Sequence, residues 1–183
     1  AACPLHVNAQ GYLALLSKGK FKEAFELEIE KNPFPAIFGR ICTHPCEEAC
    51  TRGEFDFALA IRNAKRALVD FCEELDYKIS PPEKELDKKI AIIGAGPAGL
   101  LCAFDLRQKG YQVTIFDALP KPGGMMLVGI PSYRLPREVM DKELSQLEKI
   151  GVKFKFNTII GKDISFQELR NQFDVIFIAT GAQ

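Results

Sequence analysis

The sequence predicts an α+β multidomain protein, an all-helical amino-terminal domain followed by an incomplete α/β domain. Three observations predict it. Apolar residues recur at helical spacing through residues 1–78, a stiff polar stretch SPPEKE follows at 80–85, and from Lys89 short β-branched runs alternate with helical ones. The boundary is expected near residue 84, giving domains 1–84 and 85–183.

Composition narrows the function classes. The 183 residues are 47% hydrophobic, enough to fill real cores in one domain or two small ones. Lysine plus arginine equals aspartate plus glutamate at 24 each. No net field therefore steers the chain to nucleic acid or to an anionic membrane surface, and neither is an expected partner. No apolar run approaches the length of a membrane span, and the opening AACPLHVNAQGY lacks the regions of a signal peptide. A cytoplasmic location follows as the expectation. Six cysteines without a secretory signal point to a reducing compartment, where clustered thiols bind metal or do redox work.

In the first domain, Tyr12, Leu13, Leu15 and Leu16 mark one helix, and Phe21, Phe25, Leu27 and Ile29 mark a second after the KGK break. The run Asn32-Pro33-Phe34-Pro35 stops that helix, because proline disfavours helix at the residue before it. A third helix over 58–75 carries one buried stripe of Ile61, Ala64, Leu68, Phe71, Cys72 and Leu75. In the second domain the expected order is strand 90–93, helix 98–109, strand 112–117, helix 136–150 with Val139, Leu144 and Leu147 inward, strand 152–156, short helix 166–170, and a buried parallel strand over 175–179.

The junction IIGAGPAGL carries the first chemistry. Gly94, Gly96 and Gly99 form GxGxxG between a strand and a helix: a tight turn, room for a pyrophosphate, and close helix–strand packing. The helix amino terminus would face the phosphates. Asp117 ends the next strand, where a carboxylate accepts from a ribose 2′-hydroxyl and repels a 2′-phosphate, so this Rossmann-like site suits FAD or NAD and not NADP. Downstream, Gly123-Gly124 lets backbone lie against a flat ligand, and Arg134 could meet phosphate or a flavin edge. Thr180 and Gly181 follow the last strand, where open α/β sheets bind ligands.

The patterns GAGPAG, TIFDALPKPGGMM, GIPSYRLP and IATGA together resemble the FAD-binding half of the glutamate synthase small-subunit family. That family also includes the amino-terminal part of dihydropyrimidine dehydrogenase and the large subunits of related NAD(P)H–ferredoxin oxidoreductases. The segments CPLHVNAQGY and NPFPAIFGRICTHPCEEAC resemble its helical iron–sulfur domain, so the likeness spans essentially the whole chain. It implies that Gly94, Gly96, Pro97, Ala98 and Gly99 line the FAD pyrophosphate, Asp117 the ribose, Gly124, Met125 and Arg134 the flavin side, and Thr180 with Gly181 the nucleotide from below.

The cysteines then read as cluster ligands. Thiolates bind iron–sulfur clusters and zinc, and four close either site. Cys42, Cys46 and Cys50 supply three at four-residue spacing, and Cys3, followed by proline, is the natural fourth. Pro45 keeps the loop from forming one continuous helix. Relatives carry further cysteines upstream of the Cys3 position, and where their glutamate or glutamine ligand aligns this chain has Lys65. One [4Fe–4S] cluster is therefore expected, with an upstream cysteine as an alternative ligand. Cys72 and Cys102 read as core thiols, Met125 and Met126 as flavin contacts or gap fillers, and His44 as a cluster-tuning donor or an exposed loop residue.

The resemblance implies an electron-transfer flavoprotein module in which FAD takes a hydride from reduced nicotinamide and passes electrons to the cluster. No side chain presents itself as a catalytic acid or base. The competing class is a zinc-stapled helical interaction domain joined to a Rossmann unit that binds NAD or ADP. With one GxGxxG and an end at Gln183, the chain is expected to be a fragment. The NAD(P)H site would lie in a remaining carboxyl-terminal part or a partner subunit, and an electron-acceptor subunit or domain would complete the system. Alone, the chain is expected to hold a cluster, to bind FAD weakly or not at all, and to leave NAD(P)H unoxidised.

Overall fold

A computed structural model describes residues 2–74 and 79–182. The chain divides into two compact units, 1–77 and 78–183. The polar linker is held by the second unit: Leu86 N–H donates to the Gly110 carbonyl at 2.8 Å, Gln108 Nε2 to the Ser80 carbonyl at 3.0 Å, and Glu85 pairs with Arg107.

The first unit is helical. Helix α1 (Ala9–Leu16) begins where the Asn8 side chain accepts from Gly11 N–H, and α2 (Phe21–Ile29) follows the break at Gly19. The proline run ends α2 as expected, and it also starts α3 (Pro35–Ile41), with proline at the first helical position where its missing N–H costs nothing. Helix α4 (Pro45–Glu48) and a 3-10 turn (Thr51–Glu54) carry the cysteine loop, and α5 (Ile61–Glu74) closes the unit. Tyr12, Ala24, Ile61, Leu68 and Cys72 form the core.

Helix α5 starts later than expected. Residues 58–60 are exposed and non-helical, and the expected end at Leu75 lies outside the described residues. Its stripe is also rotated: Val69 is buried, while Phe71 is 42% exposed with its ring 4.5 Å from that of Phe21. Helix α2 buries Ala24 and Glu28, whereas its larger apolar residues are only partly covered.

The second unit is a four-stranded parallel sheet in the order β3-β2-β1-β4. Strand β1 (Lys89–Ile93) runs through α6 (Pro97–Gln108) to β2 (Gln112–Phe116), with Ile90 opposite Val113 and Ile92 opposite Ile115. After α7 (Met125–Val128) and α8 (Arg137–Lys149) come β3 (Lys153–Lys155), α9 (Phe166–Gln172) and β4 (Val175–Ile178). Ile90, Ala91 and Ile92 are buried on both faces of the sheet, which is why β1 reads as a continuous apolar run. In α8 the inward residues are Met140, Leu144 and Leu147, with Met140 in place of the expected Val139. Each such side chain removed from water contributes about 1.5–3 kcal/mol. Strand β4 is parallel, but it is not buried as expected: Val175 is 54% and Ile178 60% exposed, because β4 is an edge strand paired only to β1 among the described residues. No helix of the described residues is long and apolar enough to cross a membrane.

Candidate functional site

The thiol loop is shaped by one backbone reversal. Helix α3 ends on Cys42 in extended conformation, and His44 adopts a left-handed φ of 52° before Pro45 opens α4. The break places Cys42 just before the reversal and Cys46 in the turn after it. His44 N–H donates to Cys42 Sγ at 3.3 Å, so His44 reaches the thiol through its backbone rather than its ring.

Cys3 and Cys46 pack against the core cluster that contains Tyr12, a thiol junction whose charge, with that of Cys42, is felt at the Tyr12 phenol. Its hydroxyl donates to the Ile61 carbonyl at 3.2 Å. Burial foremost, then negative charge on Glu28, Cys46, Cys3 and Cys42, pushes the phenol well above its ordinary range. The thiol of Cys46 is raised by burial and by Cys42, while Lys65 pulls it down. Cys50 stands apart. Its thiol is lowered by the backbone N–H groups of Leu59, then of Arg52 and Gly53, and it is not among the groups that act on Tyr12 or Cys46.

Helix α5 clamps this loop through Arg62, which sequence reasoning missed, as it missed Glu28. Arg62 N–H donates to Glu47 Oε1 at 2.8 Å and its guanidinium to the Cys42 carbonyl at 3.1 Å. One turn on, Lys65 lies 3.7 Å from Glu28 Oε1. Glu28 is wholly buried and also accepts from Asn32 Nδ2 at 2.8 Å. The available signal was a charge at the fourth position after Ala24, on the inward face of α2.

No three described His, Cys, Asp or Glu side chains stand close enough to share one ion. A four-iron cube gives each thiol its own iron, so its ligands stand farther apart than the ligands of a single zinc. The donor set of soft thiols beside two cationic side chains fits a thiolate cluster on chemistry. Cys72 is a core thiol, 2% exposed, and Cys102 is partly buried.

At the carboxyl edge of the sheet the cradle is backbone. Gly94 has φ 110°, and a Cβ there would collide with the Ala179 carbonyl. Ala179 N–H in turn donates to the Ile93 carbonyl at 2.8 Å, so the ATG turn lies against the GAG turn and carries Thr180 and Gly181 beside it. A Cβ on Gly99 would collide with the Gly94 carbonyl, which packs the first turn of α6 on β1. Gly96 faces open space at the start of that helix, with Pro97 at its first position and Ala98 next. The unpaired N–H groups of a helix start and this opening fit a pyrophosphate.

Asp117 works on this loop directly. Its Oδ2 accepts from Ala95 N–H at 2.5 Å and its Oδ1 from Leu119 N–H at 2.7 Å. Gly123 N–H donates to the Ala95 carbonyl at 2.8 Å, and Gly124 packs against Gly96, so the GG segment crosses the glycine loop. Beside it Met125 is 64% exposed while Met126 is buried, which separates the roles the two methionines shared in the sequence. Arg134 is exposed. It is Arg137 that ties the segment down, donating to the Met126 carbonyl at 3.0 Å and the Ile130 carbonyl at 2.8 Å. A cleft of about 590 Å³ lies at the amino ends of the strands, lined by Lys89, Gln112 and Lys153 and by the Arg107–Glu85 pair, away from this edge.

Residues 1–77 match the family described as dihydropyrimidine dehydrogenase domain II, 4Fe-4S cluster, and residues 92–149 match the NAD(P)-binding Rossmann-like domain. The glutamate synthase [NADPH] small chain of Bacillus subtilis is 38% identical over 185 residues, covering 100% of this chain and 37% of that protein. This chain is similar to the glutamate synthase small chain along its whole length. The NADPH-Fe(3+) oxidoreductase subunit beta of Geobacter sulfurreducens is 40% identical over 98% of this chain and 27% of its own length. The NADP(+)-dependent formate dehydrogenase subunit beta of Moorella thermoacetica is 38% identical over 98% of this chain and 28% of its own. The chain thus spans 27% to 37% of these relatives. It joins a helical [4Fe–4S] domain to a Rossmann-like domain with a small parallel sheet, and its relatives are oxidoreductases.

Proposed function

We propose that the chain is the electron-transfer module of an NAD(P)H-dependent flavoprotein oxidoreductase, with FAD on the carboxyl edge of the sheet and a [4Fe–4S] cluster on the thiol loop. The observation that carries this reading is the pairing, in one chain, of a thiol junction with a glycine cradle whose Gly96 faces open space. When bound, the flavin takes two electrons as hydride and releases them singly, and the cluster carries one at a time.

The chain's own residues bind and orient. Gly94, Gly96, Pro97, Ala98 and Gly99 would receive the pyrophosphate, and Gly124, Met125 and Arg134 would border the flavin. Thr180 and Gly181 would lie below the nucleotide. Asp117 holds the loop through Ala95 and Leu119, and its carboxylate would accept from a ribose hydroxyl on its remaining lone pairs. Cys3, Cys42, Cys46 and Cys50 would ligate iron, Cys50 reaching in from outside the Tyr12 junction or yielding its place to a cysteine of a longer chain. The nicotinamide site and the electron acceptor belong to sequence or subunits beyond these residues, as the share of the relatives' length suggests.

Anaerobic reconstitution with iron, sulfide and FAD tests the reading. About four irons and four sulfides per chain, with a brown absorbance bleached by dithionite, are expected of such a cluster. A colourless protein holding stoichiometric zinc would instead identify a metal-stapled binding module. Rapid, saturable flavin reduction by NADH or NADPH would mean that the nicotinamide site lies within these residues.

A further inference from the structure

A buried charge pair, Glu28 and Lys65, lies where α2 meets α5. Glu28 is a carboxylate with no solvent exposure, and its Oε2 is buried without a hydrogen-bond partner. Burying such a charge is costly unless a cation answers it, and Lys65 answers from 3.7 Å across the contact of α2 with α5. The Lys65 side chain is 13% exposed and sits one turn after Ile61, whose carbonyl receives the Tyr12 hydroxyl. Lys65 therefore holds a buried anion from the stretch of α5 that Arg62 ties to the Cys42 carbonyl and the Glu47 carboxylate.

We propose that Lys65 is a positioning residue for the reaction, a fixed ammonium held by Glu28 that sets the reduction potential of the cluster bound at Cys3, Cys42 and Cys46. The inference rests on the functional reading above. Four thiolates leave a bound [4Fe–4S]²⁺ core with net negative charge, and the one electron it accepts adds to that charge. A nearby cation stabilises the reduced form more than the oxidised one, so it raises the potential, and a poorly solvated site strengthens the effect. Glu28 acts with the opposite sign.

The experiment is a dithionite redox titration of the reconstituted full chain, followed by electron paramagnetic resonance, with iron content measured alongside. Lys65→Met should keep its iron and titrate at a more negative potential than the wild type. Lys65→Arg should stay near the wild type, and Glu28→Gln should move to a more positive potential. Iron lost in Lys65→Met but kept in Lys65→Arg also supports the charge role. Iron kept at an unmoved potential in Lys65→Met overturns the inference alone, as does an equal shift or an equal loss of iron in Lys65→Met and Lys65→Arg. A wild-type chain that takes up no iron overturns the functional reading and the inference with it.

Discussion

The two sites of this chain are built from opposite materials. On the sheet edge the working surface is main chain: three turns meet at Gly94, Gly96 and Gly124, and the one side chain that organises them, Asp117, does so by accepting from backbone N–H groups. In the helical unit the working surface is side chain, with thiols from two loops whose charge is felt at the Tyr12 phenol, and a buried charge pair. A backbone cradle is complete once the strand and helix form. A thiol site has its donors near one another but reaches final geometry with its metal, because ligand binding and local folding are coupled. Damage to the first should therefore appear in the fold itself, and damage to the second in metal retention.

The largest effect tests that contrast inside the cradle. In Gly99→Ala the new methyl meets the Gly94 carbonyl, which neither β1 nor α6 can move away without losing their packing. A loss of about 2–4 kcal/mol in urea unfolding, together with loss of dinucleotide binding, is expected. Gly96→Ala meets nothing within 4 Å, so it should leave stability within about 0.5 kcal/mol and still weaken the dinucleotide. Equal stability losses in the two variants would erase the distinction between a packing glycine and a ligand-facing one.

Next come the thiols. Serine at Cys3, Cys42 or Cys46 should each remove most of the iron after reconstitution, while the helical circular dichroism stays near the wild type. Cys72→Ser and Cys102→Ser should keep the iron, with Cys72→Ser less stable because its thiol is buried in the core. Iron kept in Cys50→Ser but lost in the other three would take Cys50 out of the ligand set.

Asp117→Ala addresses the one side chain that serves the backbone site. Two N–H groups lose a charged acceptor, so dinucleotide affinity should fall by about 1–3 kcal/mol in isothermal titration, with a smaller loss of stability because the loop borders solvent. Unchanged affinity would show that the loop holds its shape without the carboxylate.

The same contrast explains what the sequence made legible. Gly94, Gly96 and Gly99 were readable because a backbone site writes itself in residues that only close approach requires. The order of the strands and of the longer helices was readable from periodicity, though not the short α3, α4 and α7, and the helix stop at Pro33 and Pro35 was readable too. The rest depends on tertiary context. Whether β4 is buried depends on what covers its edge, which its own residues do not state. The start of α3 at Pro35 looked only like the end of α2, since one proline can do both. Glu28 and Lys65 sit 37 residues apart, and no local spacing announces that α2 and α5 will bring them together.

The smallest expected effect lies at neither site. Ser165 caps α9 in a reciprocal box: its Oγ accepts from Glu168 N–H at 3.1 Å, and Glu168 Oε2 accepts from Ser165 N–H at 2.7 Å. The cap matters to the sheet because α9 presses the fully buried Leu169 against Ala91 and Phe116. Ser165→Ala should cost about 1 kcal/mol of stability and leave iron and dinucleotide binding unchanged. The cost should also depend on pH. The Ser165 side chain first, then its backbone, holds the Glu168 carboxyl below its ordinary value, so Glu168 stabilises the fold above its unfolded-state pKa and stops doing so as the pH falls through its folded one. The gap between wild type and Ser165→Ala should therefore be widest at neutral pH and narrow on acidification through the carboxylate range. Urea melts at several pH values would show it, and a gap that widens toward low pH would mean that the serine does not act through Glu168.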